Sequence, residues 1–306
     1  MALLLFSSAE VWYTLIVKIY YQLRLFIVMK TLTYFSNSCA LNSSGIIEAF
    51  LTGARQHFKT QENNLNADIA VIWSTLWHGR MKANKTIYNH FRNQGKPVII
   101  IEVGALKRNI TWKIAVNHLT AEGNHGHKEN LDWDRPKQLG IQLSQQQYNN
   151  GKILIAAQHH RSHQLYKLHS QEHWIQQQID QLRLYTDRQI VVRDHPRSPL
   201  DRSKIIGCQF DTANKVADTY DSFDFSYKWH CILNYNSGPG IQSALQGAAV
   251  IVDQTSLAYP VSNSISLIEH VSNLATAQWL TEICHTEYTQ EEIVQSRWYN
   301  RIMCSL

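Results

Sequence analysis

Four polar segments each follow a run of apolar, β-prone residues, the position at which open α/β sheets bind ligands. After His230–Asn234 (HCILN), the chain turns through Tyr235-Asn236-Ser237-Gly238-Pro239-Gly240 directly into a helical pattern closed by Gly247. Glycine allows close backbone approach, proline suits a first helical turn, and amides at a helix start attract phosphate. No Lys-Ser/Thr follows, so this is not a Walker loop, and the GxGxxG dinucleotide pattern is absent. An ordinary tight strand-to-helix turn would read the same way. After Gln189–Arg193 (QIVVR) comes Arg193-Asp194-His195-Pro196-Arg197-Ser198-Pro199. Its prolines stiffen the loop, and Arg193, His195 and Arg197 can present cationic donors to a pyrophosphate; a plain solvent loop is the alternative.

After Lys152–Ala157 (KILIAA) comes Gln158-His159-His160-Arg161-Ser162-His163, rich in hydrogen-bond donors. Three histidines in five residues invite a metal reading, but no acidic or cysteine partner sits nearby, and no metal is expected. After Val98–Val103 comes Gly104-Ala105-Leu106-Lys107-Arg108. Glu102, near the end of that run, is placed to take a proton from a hydroxyl, with burial raising its pKa. Pairing to Lys107 or Arg108 is the equal alternative.

The elements needed to hold these groups alternate between strand and helix. Thr31–Phe35, Asp68–Trp73 and Val98–Val103 read as strands. Ser43 or Ser44 can cap a helix carrying Ile46, Ile47, Phe50 and Leu51, and Lys82–Gln94 reads as a second helix. Residues 104–150, with the Gln/Asn stretch Gln142–Asn150, read as loops and a connection. The alternation resumes with strands Lys152–Ala157, Gln189–Arg193, His230–Asn234 and Ala248–Asp253, helices His173–Leu184 and Pro239–Gly247, and a terminal helix Gln290–Arg301. Two such blocks predict two Rossmann-like α/β domains of parallel sheet facing a cleft.

The 306 residues are enough for two domains. Five scattered cysteines without a CxxC pair indicate reduced thiols in a cytoplasmic protein. Charge is uneven. Residues 1–151 hold 16 Lys+Arg against 9 Asp+Glu, a balance of +7, and residues 152–306 hold 13 against 15, a balance of −2. A basic half suits an anionic acceptor such as DNA, although solvated surface charge gives the same count. Residues 1–28 are apolar but interrupted by Glu10, Lys18, Gln22 and Arg24, too broken to span a bilayer. They read as a dispensable extension before Met29, with a membrane-surface helix as the alternative.

From residue 153 the order A-Q-H-H-R-S, V-R-D-H-P-R, N-S-G-P-G-I-Q-S-A-L-Q-G-A-A-V-I-V and S-L-A-Y-P resembles the donor half of GT-B glycosyltransferases of the capsular-polysaccharide, Kdo-transferase-like type. Glu102-Val103-Gly104…Arg108 is similar to that family's E-D-G-x-x-R segment, with Val103 in place of Asp; Gln242-Ser243 replaces an acidic residue before Ala-Leu. The chain also resembles phage-encoded glycosyltransferase-like proteins. The resemblance covers about residues 30–290 and implies an acceptor domain over 29–150, a donor domain over 151–285 and a C-terminal helix over 286–306. It implies that His195 and Pro196 contact the nucleotide and that Ser237 with Gly238 holds the phosphates; together with Gln158, His159, Arg161, Arg193, Arg197 and Gly240, read above from their places after the strands, they would bind a UDP-, ADP- or CMP-linked sugar, with no further cofactor and no metal expected. Glu102 would be the base, and Lys107, Arg108 and Trp77 would meet the acceptor.

The acceptor expected from these features is a 5-hydroxymethylpyrimidine such as 5-hydroxymethylcytosine in phage DNA, modified in the host cytoplasm. Trp73, Trp77 or Trp112 could stack on a flipped base, though core packing is the commoner role of such residues. The rivals are a glycosyltransferase acting on cell-surface or lipid-linked glycan and a non-catalytic nucleotide- or glycan-binding module.

Overall fold

A computed structural model describes residues 29–40, 43–146, 151–213, 215 and 223–306. Residues 1–28, read above as an extension, and the end of the Gln142–Asn150 stretch lie outside the described residues.

The first sheet contains β1 (Thr31–Tyr34), β2 (Lys59–Glu62), β3 (Ile69–Trp73), β4 (Val98–Val103), β5 (Thr111–Val116) and β11 (Glu287–Thr289), in the order β11-β5-β4-β3-β1-β2. β1 to β4 pair in parallel, while β5 runs antiparallel to both β4 and β11. The sheet is covered on both faces, which is why β3 (IAVIW) and β4 (VIIIEV) are almost continuously apolar rather than alternating. One face packs on α1 (Ser44–Ala54), the other on α2 (Asn84–Asn93). Ser43, expected as a cap for α1, instead donates its hydroxyl to Ala40 O at 2.6 Å.

The second sheet is wholly parallel, with order β10-β9-β6-β7-β8. Its strands are β6 (Ile153–Ala156), β7 (Ile190–Asp194), β8 (Gln209–Thr212), β9 (Cys231–Asn234) and β10 (Val250–Val252). Helix α4 (Gln171–Arg183) turns Ile175, Ile179 and Leu182 onto one face. Ser170 caps α4 by accepting from His173 N–H. Helix α5 (Gly238–Leu245) packs Ile241, Ala244 and Leu245 on the other face, against Trp279 and Ile283 of α6 (Ala277–Cys284).

Two expectations are corrected. Residues 104–150 are not only loops: all six residues of β5 are buried, and a short helix α3 (Arg135–Gln138) follows. Alternating Thr, Lys and aliphatic residues over 111–116 hid that strand, because its polar members are buried by pairing rather than exposed. The expected terminal helix is a strand and two helices, α7 (Gln290–Val294) and α8 (Arg297–Ile302). They are split at Ser296, whose φ of 61° is left-handed. This segment returns to the first sheet, where Trp298 stacks on Phe50 of α1 at 4.4 Å with both rings fully buried. Among the described residues, no helix is long and apolar enough to cross a membrane.

Candidate active site

The carboxyl ends of β3, β4, β6, β7 and β9 open into one cleft of about 780 Å³ between the two sheets. One wall carries Ser74, His78, Arg80, Glu102, Arg108 and Lys113. The facing wall carries Gln158, His159, Asp194, His195, Pro196, Arg197, Ser237 and Gly238.

Backbone bonds between loops hold the walls in register. Trp77 N–H donates to Arg161 O (3.1 Å), His163 N–H to Thr75 O (2.9 Å), and Ala121 N–H to Thr255 O (2.8 Å).

On the second domain's wall, Ser237 is the N-cap of α5, with extended backbone. Asn234 fixes it twice, accepting from Ser237 N–H at 2.8 Å and donating to its Oγ at 3.0 Å. The first amides of a helix have no partner within it, and the helix dipole favours negative charge there. A Cβ built on Gly238 would lie 3.6 Å from Ala105, three residues beyond Glu102 on the opposite wall. The helix start therefore faces the first domain across the cleft. His195 accepts from Arg197 N–H through Nδ1 (3.1 Å), which places the hydrogen of the neutral ring on Nε2. His159 lies within 5.4 Å, ring to ring, of His78, His160 and His195. Burial, and then the neighbouring His195, His160, His78 and Arg161, hold its pKa down to about 4, so it is a neutral imidazole at pH 7.

On the first domain's wall, Glu102 pairs across β4–β5 with Lys113 in register. Burial pushes its carboxyl above the ordinary value, while the Ser74 hydroxyl, Val103 N–H (2.9 Å), Arg108 and Lys113 pull it back. Lys113 is itself buried, which lowers its pKa, against the raising influence of Glu287 and Glu102. Glu287 of β11 is fully buried and accepts from Ala105 N–H (2.7 Å), Leu106 N–H (3.1 Å) and Thr111 Oγ1 (2.7 Å). Arg108 Nη1 reaches Gly104 O at 3.4 Å, and its Nε is buried without a partner.

Several expected ligand groups have other employment. Arg193 is 6% exposed. Its Nε meets Asp211 at 2.7 Å, Nη1 donates to Asp224 O, and its plane lies over Phe223 and Trp229. It holds β7 to β8 and lines the cleft with its Nε and Nη1 already engaged. Gln158 is buried, and its side-chain amide is exchanged with Asn236 while its backbone bonds Gln171. Gly240 lies beneath β10, where a Cβ would come within 2.9 Å of Val252; close packing, not a ligand, requires glycine there.

Arg161 is exposed, donates to His160 Nε2 (3.2 Å), and does not line the cleft. Lys107 likewise lies off the cleft wall, its Nζ beside Gly140. Trp77 packs between Tyr88 and His163 at the seam of the domains, and Trp73 and Trp112 are core residues. None of the three lines the cleft with an available ring face, apart from the buried edge of Trp73.

The residues not anticipated are Ser74, His78, Arg80, Lys113 and Asp194. Ser74 and His78 follow β3 as the four chosen segments follow their strands, so the same rule would have found them. Lys113 was invisible because β5 was unread. Among the described residues, no group of three or more His, Cys, Asp or Glu side chains could hold a metal ion.

No protein-family profile matches the chain, and no curated protein matches it by sequence. Solved structures do. The Thermosulfurimonas dismutans KpsC β-Kdo 2,7-transferase superposes with a TM-score of 0.51 at 12% identity, covering 87% of this chain and 98% of that one. The KpsC β-Kdo 2,4-transferase of the same organism gives 0.50 at 12%, covering 84% and 90%. This likeness and the two facing α/β sheets give the chain a GT-B-like fold.

Proposed function

We propose that this protein is a glycosyltransferase that moves a sugar from a nucleotide-sugar donor to an acceptor hydroxyl. The observation that carries the reading is the confrontation across one cleft of a helix start at Ser237–Gly238 with a largely buried carboxylate at Glu102. The donor phosphate sits against the α5 amides, with His195 and Arg197 beside it. Glu102 takes the acceptor hydroxyl proton, the acceptor oxygen bonds the anomeric carbon, and the bond from that carbon to the phosphate oxygen breaks. The leaving phosphate's charge is met by the helix start. The names of the two structural neighbours, both Kdo transferases, support the same reaction class.

For the acceptor, we propose DNA bearing 5-hydroxymethylpyrimidine, supported by the positive balance of residues 1–151 and by Arg80 and Arg108 on the first domain's wall. A glycan acceptor is the second reading, favoured by the neighbours' names. Incubating the full chain with UDP-, ADP- and CMP-linked sugars and either hydroxymethylated DNA or oligosaccharide, and measuring nucleotide release, separates the two. Glu102→Gln should lower turnover by at least about 100-fold while donor binding persists. Donor binding without turnover in the parent protein would return the chain to the class of binding modules.

A further inference from the structure

Ser74 sits directly after β3 with φ of 65°, a left-handed backbone that glycine adopts freely and serine at a cost. The residue is 3% exposed and lines the cleft beside Glu102. Its own amide donates to Ile101 O on β4 at 2.8 Å, which ties the end of β3 to the residue preceding Glu102. Its Oγ accepts from Leu76 N–H at 3.0 Å. β3 and β4 run parallel with Trp73 beside Ile101, so Ser74 and Glu102 are the next residues on adjacent strands, and the Ser74 hydroxyl hydrogen is left for the carboxylate next to it. Glycine would remove the strain but also the hydroxyl. Arg108 and Lys113 add charge beside Glu102 without fixing the orientation of one oxygen, as a short hydroxyl on a constrained backbone does.

We propose that Ser74 is a positioning residue: its hydroxyl orients the Glu102 carboxylate toward the cleft for proton abstraction. The proposal rests on the glycosyltransferase reading of the same cleft.

A donor to the charged form of a carboxyl lowers its pKa, so its loss raises it. The test is carbon-13 NMR titration of the side-chain carboxyls in the full chain, with the Glu102 signal assigned by its disappearance in Glu102→Gln. Ser74→Gly keeps the backbone at ease and should fold. Its Glu102 midpoint should move up by about one pH unit, the size expected for one lost hydrogen bond to a charge. Ser74→Ala should give the same midpoint, although its Cβ stays in the left-handed region and its thermal stability falls below that of Ser74→Gly. The acid limb of nucleotide release from the best donor in the panel should shift upward by the same amount in both variants. A midpoint unmoved in both variants, with Glu102→Gln inactive, overturns the role of Ser74 and leaves the base assignment standing. Full turnover in Glu102→Gln overturns the base assignment itself, whatever the midpoint does.

Discussion

The two sheets solve the same problem with different material. The second is parallel throughout and built from contiguous chain, β6 to β10. Each of its ligand-side turns follows directly from the strand that aims it. The first is mixed, and its outer strand, β11, arrives from the end of the chain after the second sheet is complete. Its chemistry depends on that return. Glu102 faces Lys113, Lys113 faces Glu287, and Glu287 belongs to β11. The wall that carries Ser237 is thus a local product of sequence, whereas the wall that carries Glu102 is completed by contacts spanning 175 residues or more, such as Thr111 to Glu287.

The largest test of this contrast is Trp298→Ala. The ring is fully buried between α1 and the returning segment, so its loss should cost about 3–5 kcal/mol in denaturant unfolding. The second sheet, which makes none of these contacts, should keep its own stability. Equal loss of protection in both sheets, followed by amide exchange, would mean that the two are not separable as described.

A smaller effect is expected from Glu287→Gln. It roughly conserves shape but replaces a fully buried carboxylate that accepts from Ala105 N–H, Leu106 N–H and Thr111 Oγ1, and disturbing such buried hydrogen bonds typically costs about 1–3 kcal/mol. Turnover should fall with it, because Lys113 is left to Glu102 alone. Unaltered stability and turnover would detach β11 from the site.

The same contrast explains what was legible. Parallel strands such as KILIAA, QIVV and HCILN read as buried runs, and the Ser-Gly-Pro-Gly turn declared a helix start. The existence of these parallel strands, and the placing of Glu102, His195, Ser237 and Gly238 at or just after strand ends, followed from those runs. The employment of side chains did not. Arg193 looks like a phosphate donor until Asp211, Phe223 and Trp229 surround it, and all three come from other parts of the chain. Trp77 looks like a stacking platform until Tyr88 and His163 pack against it at tilted angles. Local pattern reports where a strand ends; it does not report which distant residue meets the side chain placed there.

The smallest effect concerns Glu102 itself and is a matter of sign. Burial raises its folded pKa above the unfolded value. Between those two values the folded state holds a proton that the unfolded state has lost, so stability falls as pH rises through that window. Glutamine has no charge to bury and escapes this fall. The stability of Glu102→Gln relative to the parent should therefore increase from pH 4 to pH 8, measured by urea unfolding at each pH, even though the variant is inactive. In Ser74→Gly, where the carboxyl has lost a donor, the parental decline should extend to higher pH. A difference between Glu102→Gln and the parent that stays flat across the range would mean that the carboxylate is well solvated. The first domain's wall would then lack the partly desolvated carboxyl that sets it apart from the wall carrying Ser237.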